Sequence, residues 1–277
     1  MSGEKIINLT GYKFINLEDL LQIKALLLNL CKKNQIKGTI LVAPEGININ
    51  ISGTESHITT LLKHFSEISW LQDMTYKKTI SDYIPFNRML VRLKKEIISF
   101  GQDGIDPLTQ PAKYIEPEEL KHWYETGKEF IILDTRNSFE VKIGTFKNAI
   151  NPEIKSFRKF IEKSKDLPPK AHELPIVTFC TGGVRCEKAA PFLEKNGFKN
   201  VFQLNGGILN YFQKVGGDHY EGDCFVFDKR TALTPECKPN GMIQCHCCRH
   251  PLTFEEQKSP LYKESVSCPN CIDRKAG

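Results

Sequence analysis

The sequence predicts a multidomain protein of α/β and α+β class: an N-terminal sandwich of order βαββαβ, a central parallel α/β domain and a small cysteine-rich C-terminal module. Three observations lead there. Apolar residues alternate between strand and helix spacing from Ile6 to about Phe100; short buried strands separated by helices recur over residues 114–217; and seven of the ten cysteines fall after residue 217, where the apolar pattern fades. At roughly 100–200 residues per domain, a chain of 277 residues is long enough for more than one core.

Hydrophobic residues make up 40% and charged residues 26%, a globular balance that excludes wholesale disorder, collagen-like repetition and a coiled-coil rod. No uncharged apolar run approaches the ~18 residues of a membrane span, and the opening MSGEK lacks the apolar segment of a secretion signal. The expectation is a cytoplasmic protein with no membrane partner, in a compartment where cysteines remain thiols or metal ligands. A net charge of +5 is too small to argue nucleic-acid binding by itself, so local placement of charge has to carry that argument.

The first domain, residues 1–100, opens on a strand at Ile6–Leu9. Leu20, Ile23, Leu27, Leu30 and Cys31 then follow at helical spacing. Thr39–Ala43 and the alternating Ile47, Ile49 and Ile51 flank the turn residues Pro44, Glu45 and Gly46, a hairpin pattern. Ile58, Leu61, Leu62, Phe65 and Ile68 form a second helical stripe, and Met74–Ile80 and Met89–Phe100 supply further strand. The order is that of a ferredoxin-like, or acylphosphatase-like, split βαβ plan. Residues 101–113 carry Gly101, Gly104, Pro107 and Pro111 and read as a linker.

In the second domain, residues 114–217, the pattern gives a helix at Pro117–Tyr124, buried strands at Phe130–Leu133 and Pro175–Phe179, helical residues at Phe157–Ile161, a helix at Cys186–Asn196 and a strand at Val201–Leu204. Strands alternating with helices predict a parallel sheet with ligands beyond its strand C-termini. Residues 218–277 form the cysteine-rich tail.

The sharpest chemical signal is Cys180 to Arg185, CTGGVR, between a buried strand and a helix. Thr181, Gly182, Gly183 and Val184 allow successive backbone N–H groups to turn inward as an anion nest; the helix N-terminus adds partial positive charge and Arg185 a full one. All three favour a thiolate at Cys180, a nucleophile at neutral pH. Four residues separate Cys180 from Arg185, one fewer than tyrosine-phosphatase loops use to fit a phosphate, so the loop suits a single sulfur or a persulfide.

This loop resembles that of rhodanese domains. The flanks agree: Asp134, Thr135 and Arg136 after a strand, then Glu140, Gly144, Ala149 to Asn151, and Leu204 to Ile208. The resemblance implies that Asp134, Arg136 and Glu140 chiefly brace the fold. With GTILVAPEGIN at Gly38–Asn48, CTGGVRCEKA at Cys180–Ala189 and GDCFVFD at Gly222–Asp228, nearly the whole chain resembles the rhodanese-domain tRNA uridine 5-hydroxylases. That resemblance implies oxygen-dependent 5-hydroxylation of uridine 34, the wobble position, with Cys180 as the essential cysteine. Molecular oxygen would be the co-substrate, with the reductant unassigned. After Arg230, Thr231 to Thr234 depart from the family's usual pattern, and no role is assigned there.

Two roles for Cys180 stand open: addition to C6 of uracil, which makes C5 enolate-like, or a persulfide or sulfenate acting as the redox centre with Cys186 as partner. The alternative activity is a sulfurtransferase that carries a persulfide on Cys180 to a thiol acceptor. A third reading is a non-enzymatic RNA-binding adaptor.

Cys245 and Cys248, then after 19 residues Cys268 and Cys271, have the spacing of a four-thiolate zinc ribbon. Such a site would stabilise a tail poor in apolar residues. Iron is the alternative metal, and His246, Cys247 and His250 are alternative ligands; Cys224 and Cys237 lack paired spacing. For RNA, Lys77, Lys78, Arg88, Arg92, Lys94 and Lys95, interleaved with Tyr83 and Phe86, form a basic aromatic stretch suited to a tRNA anticodon loop. Asn48 and Asn50 are further candidate contacts.

Overall fold

The computed structural model describes residues 5–272. Its first unit runs β1 (Ile6–Phe14), α1 (Leu20–Lys33), β2 (Lys37–Ala43), β3 (Gly46–Thr54), α2 (Glu55–Ser66), β4 (Lys77–Ser81) and β5 (Met89–Leu93). The βαββαβ order is as the sequence predicts, with β5 added as a fifth strand parallel to β2. The sheet order is β4-β1-β3-β2-β5. Residues 94–100, expected as strand, are irregular.

Strand alternation decides what each sheet face does. Ile47, Ile49 and Ile51 of β3 pack with Leu27, Cys31, Ile58, Leu61 and Phe65 of the two helices. Asn48 and Asn50 therefore point the other way, opposite Tyr12 and Thr10 of β1. α2 starts at Thr54, whose hydroxyl accepts from the His57 N–H at 3.4 Å.

The second unit runs β6 (Lys113–Ile115), α3 (Pro117–Glu125), β7 (Ile131–Asp134), α4 (Ser138–Val141), β8 (Gly144–Phe146), α5 (Phe160–Lys163), β9 (Ile176–Phe179), α6 (Cys186–Lys195), β10 (Val201–Leu204) and α7 (Gly207–Val215). Its parallel sheet has the order β6-β10-β9-β7, so β9 is an inner strand buried along its whole length. Apolar clusters cover both faces, as an all-parallel sheet requires. Phe100, Ile105 and Ala112 lie in one of these clusters, so the stretch read as a linker is packed against the second unit.

The tail divides in two. β11 (Tyr220–Gly222) pairs with β8, β12 (Cys224–Phe225) pairs with β13 (Ala232–Leu233), and Tyr220, Cys224, Val226 and Leu233 are buried in the second unit's core. Cys224 is thus a core residue. The cysteine module proper holds β14 (Ile243–Gln244), β15 (Pro251–Leu252) and α8 (Phe254–Lys258). Among the described residues no helix is long and apolar enough to cross a membrane.

The first turn of α6 joins the two units. Glu187 accepts hydrogen bonds from Tyr12 at 2.7 Å, Tyr114 at 2.9 Å and Gln203 at 2.8 Å. Lys188, 2% exposed, is held by Glu45 and Glu96, each at 2.8 Å. Glu45 also accepts from the Ile97 N–H at 2.7 Å, so the β2–β3 turn, the residues after β5 and α6 are fixed together.

That turn depends on Gly46, whose φ is +145° and whose Cβ, were there one, would lie 2.1 Å from the Lys13 carbonyl oxygen. The clashing atom belongs to the paired backbone of β1 and cannot move aside without breaking the ladder. Gly46→Ala is expected to lower unfolding free energy by about 2 kcal/mol or more, read from urea denaturation.

Candidate active site

Cys180 follows directly on β9, at the C-terminal edge of the parallel sheet where ligands are expected. The loop turns at Gly183, whose φ of +100° disfavours a side chain and whose absent Cβ leaves room for the Tyr12 hydroxyl, 2.8 Å from where it would sit. The Gly183 N–H donates to Cys180 Sγ at 3.1 Å. At the start of α7, the N–H groups of Ile208 and Leu209 donate to the carbonyls of Cys180 and Thr181 at 3.0 and 3.1 Å. Loop carbonyls are thereby held away from the sulfur and amides toward it.

Burial alone would raise the Cys180 pKa, but the thiol of Cys186, the charge of Arg185 and the N–H groups of Arg185 and Gly183 outweigh it and hold the thiol well below its usual range. Cys186 moves the other way: burial and the neighbouring Cys180 push it up, so it stays a thiol. The sequence presented Cys186 as a possible redox partner; in the structure it is fully buried in the first turn of α6, with its sulfur 3.7 Å from the Thr135 hydroxyl.

Arg185 is 4% exposed, and both its terminal nitrogens donate to Glu140, at 2.7 Å each. Asp134 and Arg136, both fully buried, form a second paired fork, with Arg136 also donating to the Gly144 carbonyl at 2.6 Å. Thr145 completes Asp134 at 2.8 Å. Asp134 thus pairs with Arg136, and Glu140 with Arg185, as two separate buried ion pairs.

Above Cys180 lies a cleft of about 730 Å³. Its far wall is the helix-free face of the N-terminal sheet, where Thr10 donates to Asn50 at 2.7 Å and Asn50 to Asn48 at 3.2 Å. Lys77 and Phe227 also line it. The volume and the mixture of apolar walls with a few polar groups suit a ligand of nucleoside size.

The basic stretch 77–95 does not stay together. Lys77 and Lys78 lie on β4 while Arg88, Arg92, Lys94 and Lys95 accompany β5, and these strands are opposite edges of one sheet. Lys77 and Lys94 return to the cleft; Lys78 pairs with Glu55 at 3.3 Å; Arg88, Arg92 and Lys95 are exposed outside it. Sequence reasoning missed Tyr12, Arg158 and Phe227, which all line the cleft. For Tyr12 the signal was available, because it shares strand parity with Thr10 opposite Asn48 and Asn50.

In the C-terminal module the Sγ atoms of Cys245, Cys248, Cys268 and Cys271 all lie within 4.8 Å of one another, with 3.6 Å between Cys248 and Cys268 and 3.7 Å between Cys268 and Cys271. A tetrahedron with metal–sulfur bonds of about 2.3 Å has edges of about 3.8 Å, so this donor set fits a tetrahedral thiophilic ion. The module docks on α4 through Lys142 to Glu256 at 2.6 Å and Phe139 against His250.

A strand, a cysteine loop and a helix in a parallel sheet, with the loop arginine locked by a carboxylate, define a rhodanese-type domain behind a ferredoxin-like one. Family models agree: a UPF0176 acylphosphatase like domain matches residues 6–97 and a rhodanese-like domain matches residues 116–214. The chain is 43% identical over 274 residues to the tRNA uridine(34) hydroxylase of Cupriavidus metallidurans, covering 97% of each chain. It is 43% identical over 284 residues to the protein of that name from Ralstonia nicotianae, covering 98% of each. A rhodanese-related protein of Thermoplasma volcanium, of solved structure, aligns with a TM-score of 0.31 at 28% identity, over 37% of this chain and 93% of that one. The chain belongs to the tRNA uridine(34) hydroxylase family.

A lowered thiol pKa leaves Cys180 deprotonated at neutral pH, so its modification rate is already on its plateau there and falls only on acidification. Cys31 and Cys224, pushed up to about 12 by burial, gain reactivity only in strong alkali. Mass spectrometry after brief treatment with a small alkylating reagent at mildly acid pH is expected to label Cys180 well ahead of Cys31 and Cys224.

Proposed function

We propose that this protein is a tRNA uridine(34) hydroxylase in which Cys180 is the reacting nucleophile. The observation that carries the reading is a thiolate-favouring cysteine at the floor of a nucleoside-sized cleft, in a chain 43% identical over 97% of its length to a protein of that name. The sulfurtransferase alternative is not favoured: a persulfide carrier has no use for a second domain whose polar sheet face closes the loop into a cleft.

Uracil is electron-poor at C6 and inert toward oxygen at C5. Addition of the Cys180 thiolate forms an S–C6 bond and moves the C5=C6 π pair onto C5 and O4 as an enolate, which makes C5 nucleophilic. After oxygen is gained at C5, loss of the C5 proton and expulsion of the thiolate restore the double bond. Per turnover, uridine, dioxygen, two electrons and two protons give 5-hydroxyuridine and water, so the reaction needs a two-electron donor besides oxygen. The Asn48 and Asn50 amides offer donors and acceptors to the base edge, and exposed Phe227, 60% accessible, offers a ring on which an unpaired base can stack. Lys94 and Arg158 at the cleft meet the phosphates of the anticodon loop. A tRNA substrate supports a cytoplasmic location.

The four-cysteine module holds structural zinc in this reading. Its four cysteine sulfurs, all within 4.8 Å of one another, support a closed four-thiolate site. Cys245→Ser is expected to reduce bound zinc from about one per chain to near none by elemental analysis, and to unfold the module while the rest of the chain keeps its far-ultraviolet circular dichroism.

Purified enzyme acting on unmodified tRNA, with nucleosides read by mass spectrometry, tests the main reading. Wild type should form 5-hydroxyuridine at position 34, and Cys180→Ser should lose it on the order of 10³-fold or more. Equal product from both proteins would overturn the assignment.

A further inference from the structure

Arg185, the cation that sequence analysis set beside Cys180, does not leave the sulfur with net positive charge, because its guanidinium is matched by Glu140 in a buried bidentate pair. Arg136 is matched by Asp134 in the same way, and Lys188 is held by Glu45 and Glu96. A thiolate at Cys180 therefore sits among ion pairs that are neutral or carry excess negative charge. Three further cations, Lys77, Lys94 and Arg158, line the cleft, and of these Lys77 hydrogen-bonds the loop itself. Lys77, on β4 of the N-terminal sheet, extends across the domain boundary so that its Nζ meets the Gly182 carbonyl at 3.4 Å, and it lines the same cleft as Cys180. Among the described residues it has no carboxylate within ion-pair distance, unlike its neighbour Lys78.

The surroundings of Lys77 are specific. Its ammonium lies 5.4 Å from the centre of the Tyr12 ring, and Tyr12 carries its own hydroxyl to Glu187. Glu187, the carboxylate facing this corner, is occupied by three neutral donors, Tyr12, Tyr114 and Gln203. Gly206 leaves the space that the lysine chain fills, since a Cβ there would come within 2.8 Å of Lys77 Cε. An ammonium built into a crowded corner without a carboxylate partner is costly unless another anion faces it. Burial lowers its pKa, and the two charges that oppose this are those of Cys180 and Glu187, in that order.

We propose that Lys77 is a positioning residue of the active site: its ammonium is the net counter-charge of the Cys180 thiolate, supplied by the N-terminal domain, rather than a contact to an RNA phosphate. The rhodanese-type loop provides amides and a neutralised arginine, and the second domain completes the charge balance. The groups that face this pair are Tyr12 from β1, Arg185 and Cys186 at the start of α6, Glu187 of α6, Tyr114 of β6, and Glu140 of α4 behind Arg185. Lys94, Arg158 and Glu96 line the same cleft, Glu96 being paired with Lys188; of the three cations without a carboxylate partner among the described residues, Lys77 is the one hydrogen-bonded to the loop.

The inference rests on Cys180 as the reactive thiol, and the first readout is chosen so that the two can fail separately. Thiolate formation at Cys180 is followed by ultraviolet absorbance against pH in full-length protein, as the difference between each protein and the same protein carrying Cys180→Ser. No tRNA is needed. Lys77→Met and Lys77→Gln are expected to move the midpoint up by about one pH unit, a tenfold loss of thiolate on the rising limb. Gln keeps a hydrogen bond to the Gly182 carbonyl and loses only the charge, so it should behave as Met does; it also serves if the Met protein fails to fold. In turnover, kcat should fall by up to about tenfold at acid pH, on the rising limb, and return to the wild-type value as pH rises to the plateau, while KM for tRNA changes less than about threefold. An unchanged midpoint in Lys77→Gln, or a raised KM with kcat intact, would overturn the proposal and leave Lys77 a phosphate contact. Undiminished hydroxylation by Cys180→Ser would defeat the function reading, while the titration would still decide the role of Lys77.

Discussion

The buried pair between Arg185 and Glu140 is the constraint on which the site depends. Two parallel hydrogen bonds of 2.7 Å fix the guanidinium plane, and with it the end of the loop that begins at Cys180. Removing either partner would strand a charge at a position almost closed to water, a loss of about 3–5 kcal/mol. Glu140 is itself oriented by the Asn137 N–H at 3.0 Å, at the start of a helix of only four residues. The pair therefore does for α4 what length does for other helices: it holds a short turn in register with a loop that lies 45 residues further along the chain.

The same stretch of backbone distributes charged side chains in three directions. Arg185 reaches α4, Glu187 reaches Tyr12 of the N-terminal sheet, and Lys188 reaches Glu45 and Glu96 beside it. All three are nearly buried, and none is free to reorient without leaving another polar group unsatisfied. The consequence is geometric. The helix whose first turn shapes the cysteine loop is also the element that sets the distance between the two domains, so loop and cleft cannot be positioned independently.

Much of this could be read from the sequence because it is local. Strand, Gly-Gly loop and helix are consecutive around Cys180, and the alternation of Ile47, Ile49 and Ile51 fixes which way Asn48 and Asn50 point. What the sequence hid was non-local. The basic residues from Lys77 to Lys95 are neighbours in sequence, yet sheet order sends them to opposite edges. Arg185 looked like a full positive charge because Glu140, read as a brace, is distant in the chain. The apolar residues of 218–240 were too sparse to show a periodicity, since they enter a core already built by earlier strands, and Cys224 looked incidental for the same reason.

The two-domain design follows from a limit on what the loop can do alone. A parallel sheet with its loop at the strand C-termini presents backbone N–H groups to an anion, but it offers few side chains to a planar base, and its arginine is already engaged in holding the fold. The N-terminal sheet has the complementary property. With helices on one face only, its other face is free to carry Thr10, Asn48 and Asn50 in a hydrogen-bonded row, which an alternating strand can present without cost to its core. Setting that face against the loop converts a surface nest into a cleft with amides on one wall and a thiolate on the other. Neither fold specifies the chemistry by itself; the cleft belongs to the junction, and it is the buried contacts of Glu187 and Lys188 that join its two walls.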